Sequence, residues 1–265
     1  MLKQRIITAL VLVAFLLPAL FAASAWPFAL LTLAGIAAAG WEWGRLNGAG
    51  AQAILLGAVL ACACGLALWV GWASAPPRAL WWLATLGWVL GGAWVLRGGP
   101  PAWGSVAAPL RWAFGLLLLW VGWLALANAR AVGINFILSV FCLVWAADIA
   151  AYFGGRAFGR RKLALAISPG KSWEGVWSGM LGVLALAALW TLVIDRHLPV
   201  DSRSLFAVLE ARLGLVVGLL ALVFLSAMSV VGDLFESLVK RSAGAKDSSN
   251  LLPGHGGVLD RIDAL

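Results

Sequence analysis

Charge is what this sequence has least of. Only 11% of its 265 residues are Asp, Glu, Lys or Arg, against 63% hydrophobic, far from the roughly 25% charged usage of soluble domains. That excludes an ordinary soluble enzyme. Histidine and cysteine are scarce too: His197 and His255 are the only histidines, and Cys62, Cys64 and Cys142 all lie in apolar stretches. Cys62 and Cys64 are two apart and point to different faces of a helix, so neither a bridge nor a zinc site is expected. The period-2 alternation of a membrane barrel is missing, as is any internal repeat.

Long apolar runs are what the chain has in abundance. A hydrocarbon core about 30 Å thick needs roughly 20 apolar helical residues to cross it. Runs near 6–23, 25–40, 51–73, 79–96, 110–126, 132–153, 174–194 and 211–231 meet that need. Helices satisfy their own backbone in lipid. The expected fold is therefore all-α: a polytopic transmembrane helical bundle of about eight spans, forming one domain over 1–265. Ala23-Ser24-Ala25 resembles a signal-cleavage site, but the run before it is long enough to span and another follows at once, so it reads as a span rather than a leader. The 17 Trp gather near run ends, as Trp26, Trp41, Trp43, Trp81 and Trp82 do, which is the placement of interfacial anchors.

Lys and Arg set the orientation. With the N-terminus in the cytoplasm and eight alternating spans, only Arg78, Arg130, Arg196, Arg203 and Arg212 of the 19 basic residues fall outside. That is a positive-inside distribution. The basic clusters at 156–171 and 240–261 then share the cytoplasmic face. The net charge of +8 points to phosphates or acidic lipids as partners rather than nucleic acid.

The acidic residues sort by depth. Asp195, Asp201 and Glu210 read as solvated loop charge, and Glu42 as an interfacial ion pair with Arg45. Asp148 ends a long apolar run, where an ionisable group needs protein, water or a cation beside it; Tyr152, four residues on, shares its helical face. In "ISPGKSWEG" (167–175), Ser168 can cap a helix and Pro169 suits its first turn, so Lys171 and Ser172 would sit at an anion-favouring helix start. A P-loop is excluded because Leu165 stands where its first glycine belongs.

Ser226, Ser229, Asp233, Glu236, Ser237 and Lys240 recur at spacings of three and four in "LSAMSVVGDLFESLVK". They form one polar stripe on an apolar helix, which must line a cavity or another helix. The segment after it, "PGHGG", lets backbone approach a ligand closely at Gly256 and Gly257. "DRID" places Asp260 and Asp263 three apart. Carboxylates, basic residues and flexible glycine are the chemistry of a magnesium–polyphosphate site, in which His255 could orient a phosphate or act as an acid.

The pattern S-L-V-K-R-x4-K-D-x5-P-G-H-G-G-x2-D-R-x-D, from Ser237 to Asp263, resembles the signature of the phosphatidate cytidylyltransferases, the CDP-diacylglycerol synthases. "WAADIAAYFGGRAFGRRKL" and "SPGKSWEG" resemble other cytoplasmic segments of that family. The resemblance implies transfer of a cytidylyl group from CTP to phosphatidate at a bacterial inner membrane, with Mg²⁺ as the expected cofactor and the addition of a monovalent cation left open. It leaves oligomeric state open, a homodimer among the options. It places metal binding on Asp233 and Asp260, with Glu236 and Asp263 as further ligands. Lys240, Arg241, Lys246 and Arg261 would meet phosphates. Asp148, Tyr152, Lys171, Ser172, Glu174, Ser229, Ser237, Gly256 and Gly257 would form the substrate site, beside His255. Family members usually continue with another hydrophobic helix, so a chain trimmed after Leu265 is expected. A transporter and a lipid-alcohol kinase are the rival readings.

Overall fold

The apolar runs fold as helices, because no other backbone arrangement closes its own hydrogen bonds within a single lipid-facing segment. The computed structural model describes residues 2–264, so the reading placed on Leu265 lies outside it. In order come α1 (Leu2–Phe21), α2 (Trp26–Leu46), a 3₁₀ turn (Gly50–Gln52), α3 (Ala53–Trp69), α4 (Arg78–Ser105), α5 (Ala108–Val132) and α6 (Ile134–Phe158). A short hairpin, β1 (Lys162–Ala164) and β2 (Ser168–Ser172), leads into α7 (Trp173–Leu189). A π turn at Trp190–Ile194 continues α7 into α8 (Asp195–His197); α9 (Leu205–Ser242) and α10 (Leu259–Ile262) follow.

Seven of these helical stretches are long and apolar enough to cross a membrane. Eight spans were expected; the difference is α2, long enough at 21 residues but made less apolar by Pro27, Glu42 and Arg45 near its ends. The surface agrees with a lipid environment: Leu10, Leu83, Leu181 and Val216 are each at least 64% exposed, a pattern that water would not tolerate over so many helices. Cys62 is exposed and Cys64 buried, as a two-residue offset on a helix requires.

The residues gather into two compact units. The first comprises the chain up to Ala131 together with Phe235–Asp263, and the second comprises Val132–Leu234 with Ala264. In the first, α2 packs on α3 through small residues: a Cβ on Gly57 would stand 2.6 Å from the carbonyl of Ala37. Such close approach supplies the packing that holds helices together in lipid. Trp43 and Trp103 are not interfacial anchors. Both are buried, and with Trp88 and Phe114 they surround Phe235 at ring distances of 5.4–6.0 Å. Their indole N–H groups donate to Arg111 O at 2.9 Å and Asn47 Oδ1 at 3.0 Å. This aromatic cage fixes the rotation of α9 immediately before Glu236. Buried Arg130 donates to the carbonyls of Leu20 and Ala22 at 2.8 and 2.6 Å, satisfying orphan groups at the end of α1.

In the second unit α6 and α7 pack along glycine and alanine. A Cβ on Gly182 would lie 2.5 Å from Ala150 Cβ, and one on Gly179 2.9 Å from Ala147 O. Asp195 and Asp201 do more than carry loop charge: Asp195 is half-buried and Asp201 exposed, and both tie down α6. Asp201 accepts the first N–H groups of α6, from Ile134 at 2.6 Å and Asn135 at 2.9 Å, and Asp195 accepts from Asn135 Nδ2 and Ser204 Oγ. Partial burial pushes the Asp201 carboxyl up, but the Asn135 and Ile134 amides and the Ser202 hydroxyl outweigh it and hold the carboxyl below its ordinary value. An anion at a helix start is favoured by the free N–H groups there.

Candidate active site

Two polar clusters emerge, one within each unit. In the first unit the cage around Phe235 presents Glu236 and Lys240, one turn apart on α9, toward the loop 243–258 and α10. The Lys240 ammonium pairs with Glu236 Oε2 and with Asp260 Oδ1, the latter at 2.7 Å. Asp260 is the centre of the cluster. Its Oδ2 accepts the Ser248 amide at 2.9 Å, the Ser248 hydroxyl at 2.9 Å and the Gly257 amide at 2.8 Å. Burial works against its charge, yet Lys240 and the Gly257 and Ser248 amides prevail and hold its carboxyl down at about 2.

The tandem glycines follow from this geometry. Gly256 has φ +85°, and a Cβ there would lie 2.6 Å from Asp260 Oδ2. A Cβ on Gly257 would overlap the Ser248 hydroxyl and the Glu42 carboxylate. Only glycine lets two carboxylates approach the backbone this closely. His255 stands between Gly254 and Gly256, half-buried, and its Nδ1 is buried without a hydrogen-bond partner among the described residues.

Glu42 was read as an interfacial partner of Arg45, and the structure corrects that. It is fully buried and accepts from Ser249 Oγ at 2.6 Å, Val258 N at 2.9 Å, Leu259 N at 2.8 Å and Ser248 Oγ at 3.1 Å. The Arg45 guanidinium instead lies 4.9 Å above the Trp41 ring. The rule applied to Asp148, that a carboxylate inside an apolar helix needs a partner, would have singled out Glu42 as well.

In the second unit, the Lys171 ammonium at the end of β2 pairs with Asp233 Oδ2 at 2.5 Å, and Asp148 on α6 is near enough to interact electrostatically with both. Ser172, not Ser168, caps α7: its Oγ accepts from Gly175 N at 3.2 Å, while Ser168 starts β2 and pairs with Ala164 of β1. Glu174 accepts the Arg160 and Arg161 amides at 3.1 and 3.2 Å, which ties the hairpin to α7. Tyr152 is 62% exposed and packs edge-on against Phe153. Ser229 is buried with no hydrogen-bond partner for its Oγ among the described residues; Ser237 is half-buried on α9.

Arg241, Lys246 and Arg261 are exposed. Lys246 lines an open cleft of about 650 Å³ together with Arg45, Asp247, Ser248 and Asn250. Among the described residues no three His, Cys, Asp or Glu side chains converge as a ready metal site; Lys240 stands between Glu236 and Asp260 instead. The donor chemistry still fits a hard cation. Two buried carboxylates, from Glu236 and Asp260, share the single ammonium of Lys240. Glu236 Oε1 has no hydrogen-bond partner among the described residues, and the carboxylates offer oxygen, the ligand Mg²⁺ prefers.

The profile of the cytidylyltransferase family matches residues 3–265. A phosphatidate cytidylyltransferase of Pseudomonas aeruginosa is 44% identical across 100% of this chain and 93% of its own length. One from Haemophilus influenzae is 51% identical over 50% of this chain and 42% of its own. The chloroplastic phosphatidate cytidylyltransferase 5 of Arabidopsis thaliana is 41% identical over 50% of this chain and 29% of its own.

Proposed function

The chain belongs to the cytidylyltransferase family, and from that membership we propose that it joins CTP and phosphatidate into CDP-diacylglycerol and pyrophosphate. The observation that carries this reading is the Asp260 cluster: the family-like segment 237–263 folds back so that its Lys, Asp and glycines meet at one buried carboxylate. In the reaction a phosphatidate oxygen forms a bond to the α-phosphorus of CTP, and the bond from that phosphorus to the β-phosphate bridge breaks. The lipid phosphate is already anionic at neutral pH, so no serine nucleophile is needed. The demand on the protein is to hold two anions in line and to neutralise the leaving pyrophosphate.

The exposed cations Arg241, Lys246 and Arg261 are placed to meet phosphates, and the cleft beside Lys246 is the reading's nucleotide site. Lys240 acts differently from those three. Held by Glu236 and Asp260, it orients both side chains. Lys171 holds Asp233 in the same way and lies beside Asp148. Magnesium would be held by Asp260 and Glu236, with Asp263 as a further donor. When bound it would neutralise charge on the CTP phosphates.

Orientation follows the basic residues. At about 1.5 Å per residue, α2 reaches roughly 31 Å, enough to cross. With α2 counted as a crossing, the hairpin and the loop after α9 both face the cytoplasm, where CTP is. The test supplies the purified protein with phosphatidate, Mg²⁺ and each nucleoside triphosphate in turn. Pyrophosphate release with CTP is expected; release with no nucleotide would refute the reading.

A further inference from the structure

We propose that Glu42, far from the signature segment in sequence, is a positioning residue of this site: it pins both ends of the loop that carries His255 and leads into Asp260. The proposal rests on the cytidylyl-transfer reading for what is positioned; the pin itself stands on geometry. Ser248 and Ser249 open the loop, and Val258 and Leu259 close it. Glu42 accepts from all four, with Ser249 Oγ and Val258 N on Oε1 and Ser248 Oγ and Leu259 N on Oε2. The stretch between the two ends is "NLLPGHGG", whose glycines give it little conformational preference of its own.

Three observations separate this from a helix charge that is merely buried. First, Glu42 is held by neutral donors alone, two hydroxyls and two amides. A buried charge contributes little net stability compared with a well-packed apolar side chain, so its use here is geometric. Second, the Ser248 hydroxyl lies 3.1 Å from Glu42 Oε2 and 2.9 Å from Asp260 Oδ2. It has one proton to donate, so the two carboxylates compete for it and are coupled through it. Third, Gly257 has no room for a Cβ because the Glu42 carboxylate fills that space. Glu42 is thus built into the signature's tandem glycines. Neighbouring Trp43 belongs to the cage around Phe235, so one turn of α2 fixes both the α9 face and the loop opposite it.

The test compares wild type with Glu42→Gln and Ser249→Ala in the full chain. Glutamine keeps the volume but turns an NH₂ toward one pair of donors, so one of the two contacts is lost at each end of the loop. Turnover per folded molecule should fall by about 10–100-fold, the usual cost of misplacing a catalytic group by about an ångström, with KM for CTP and phosphatidate within about threefold. Ser249→Ala should lower turnover more mildly, and the double variant should be no worse than Glu42→Gln alone, because both act through one contact. Amide exchange at Val258 or Leu259 should quicken in Glu42→Gln. Turnover within about threefold of wild type in Glu42→Gln, or additive losses in the double variant, would overturn the proposal. If Glu42→Gln does not fold, Ser249→Ala decides, and unchanged turnover there overturns it. A wild type inactive with CTP and phosphatidate would overturn the functional reading alone, and the exchange rates at Val258 and Leu259 would then decide the pin.

Discussion

Replacing Asp260 with Asn tests whether the segment folds around that carboxylate. The substitution keeps the shape and removes the charge. If the amide oxygen takes the place of Oδ2, the Ser248 and Gly257 donors are kept and an NH₂ faces the Lys240 ammonium. The Asp260 side chain is 4% exposed and that of Lys240 13%, so solvent screens the pair little. Holding the carboxyl at about 2, below its ordinary 3.8, corresponds to roughly 2 kcal/mol of favourable coupling. Losing a charge-assisted hydrogen bond gives a similar figure, about 1.5–3 kcal/mol. At roughly 2–4 °C per kcal/mol for a chain of this size, the variant should melt about 4–8 °C lower, followed in detergent by tryptophan fluorescence. Because the folded carboxyl is lowered, its contribution is complete above the unfolded value near 4. It fades as pH falls toward about 2, so wild type and Asp260→Asn should converge in that window. An unchanged melting temperature at pH 7, or a difference that persists undiminished at pH 2, would refute the reasoning.

Three further outcomes are expected. Gly257→Ala should cost at least 100-fold in turnover, since its Cβ would overlap the Glu42 and Ser248 side chains and a 1 Å displacement is enough for such a loss; a steady-state assay checks it. Lys171→Met should cost less than about 1 kcal/mol of stability, because its pair with Asp233 is partly solvated, yet lower turnover by at least tenfold; equal effects on both would count against a role in the reaction. Asp201→Asn should lower the melting temperature by a few degrees at pH 7 and leave turnover within about twofold, because Asp201 ties down the start of α6.

The helices and the signature segment were legible in the sequence because both are local patterns. Apolar runs of membrane length leave no alternative to helix, and the spacing from Ser237 to Asp263 contains the residues that meet at Asp260. Contacts across long separations were not legible. Glu42 lies 206 positions from Ser248, and the Arg45 next to it offered a nearer partner that the structure does not use. Ser168 looked like the cap of α7 because Pro169 suits a first turn, but both residues are taken by a hairpin whose partner strand, Lys162–Ala164, is only three residues long. Asp195 and Asp201 looked like loop charge alone because the Asn135 groups that donate to them come from α6, at least 60 residues earlier. Trp43 and Trp103 were hidden by their own abundance, since most tryptophans near span ends need no such role.

The central claim is that the group transferred is cytidylyl rather than phosphoryl. It is tested most directly by offering purified protein and phosphatidate with CTP labelled at the α-phosphate or at the γ-phosphate. The α label should pass into the lipid product while the γ label leaves as pyrophosphate. Transfer of the γ label to lipid, or no label in lipid from either, would contradict the account.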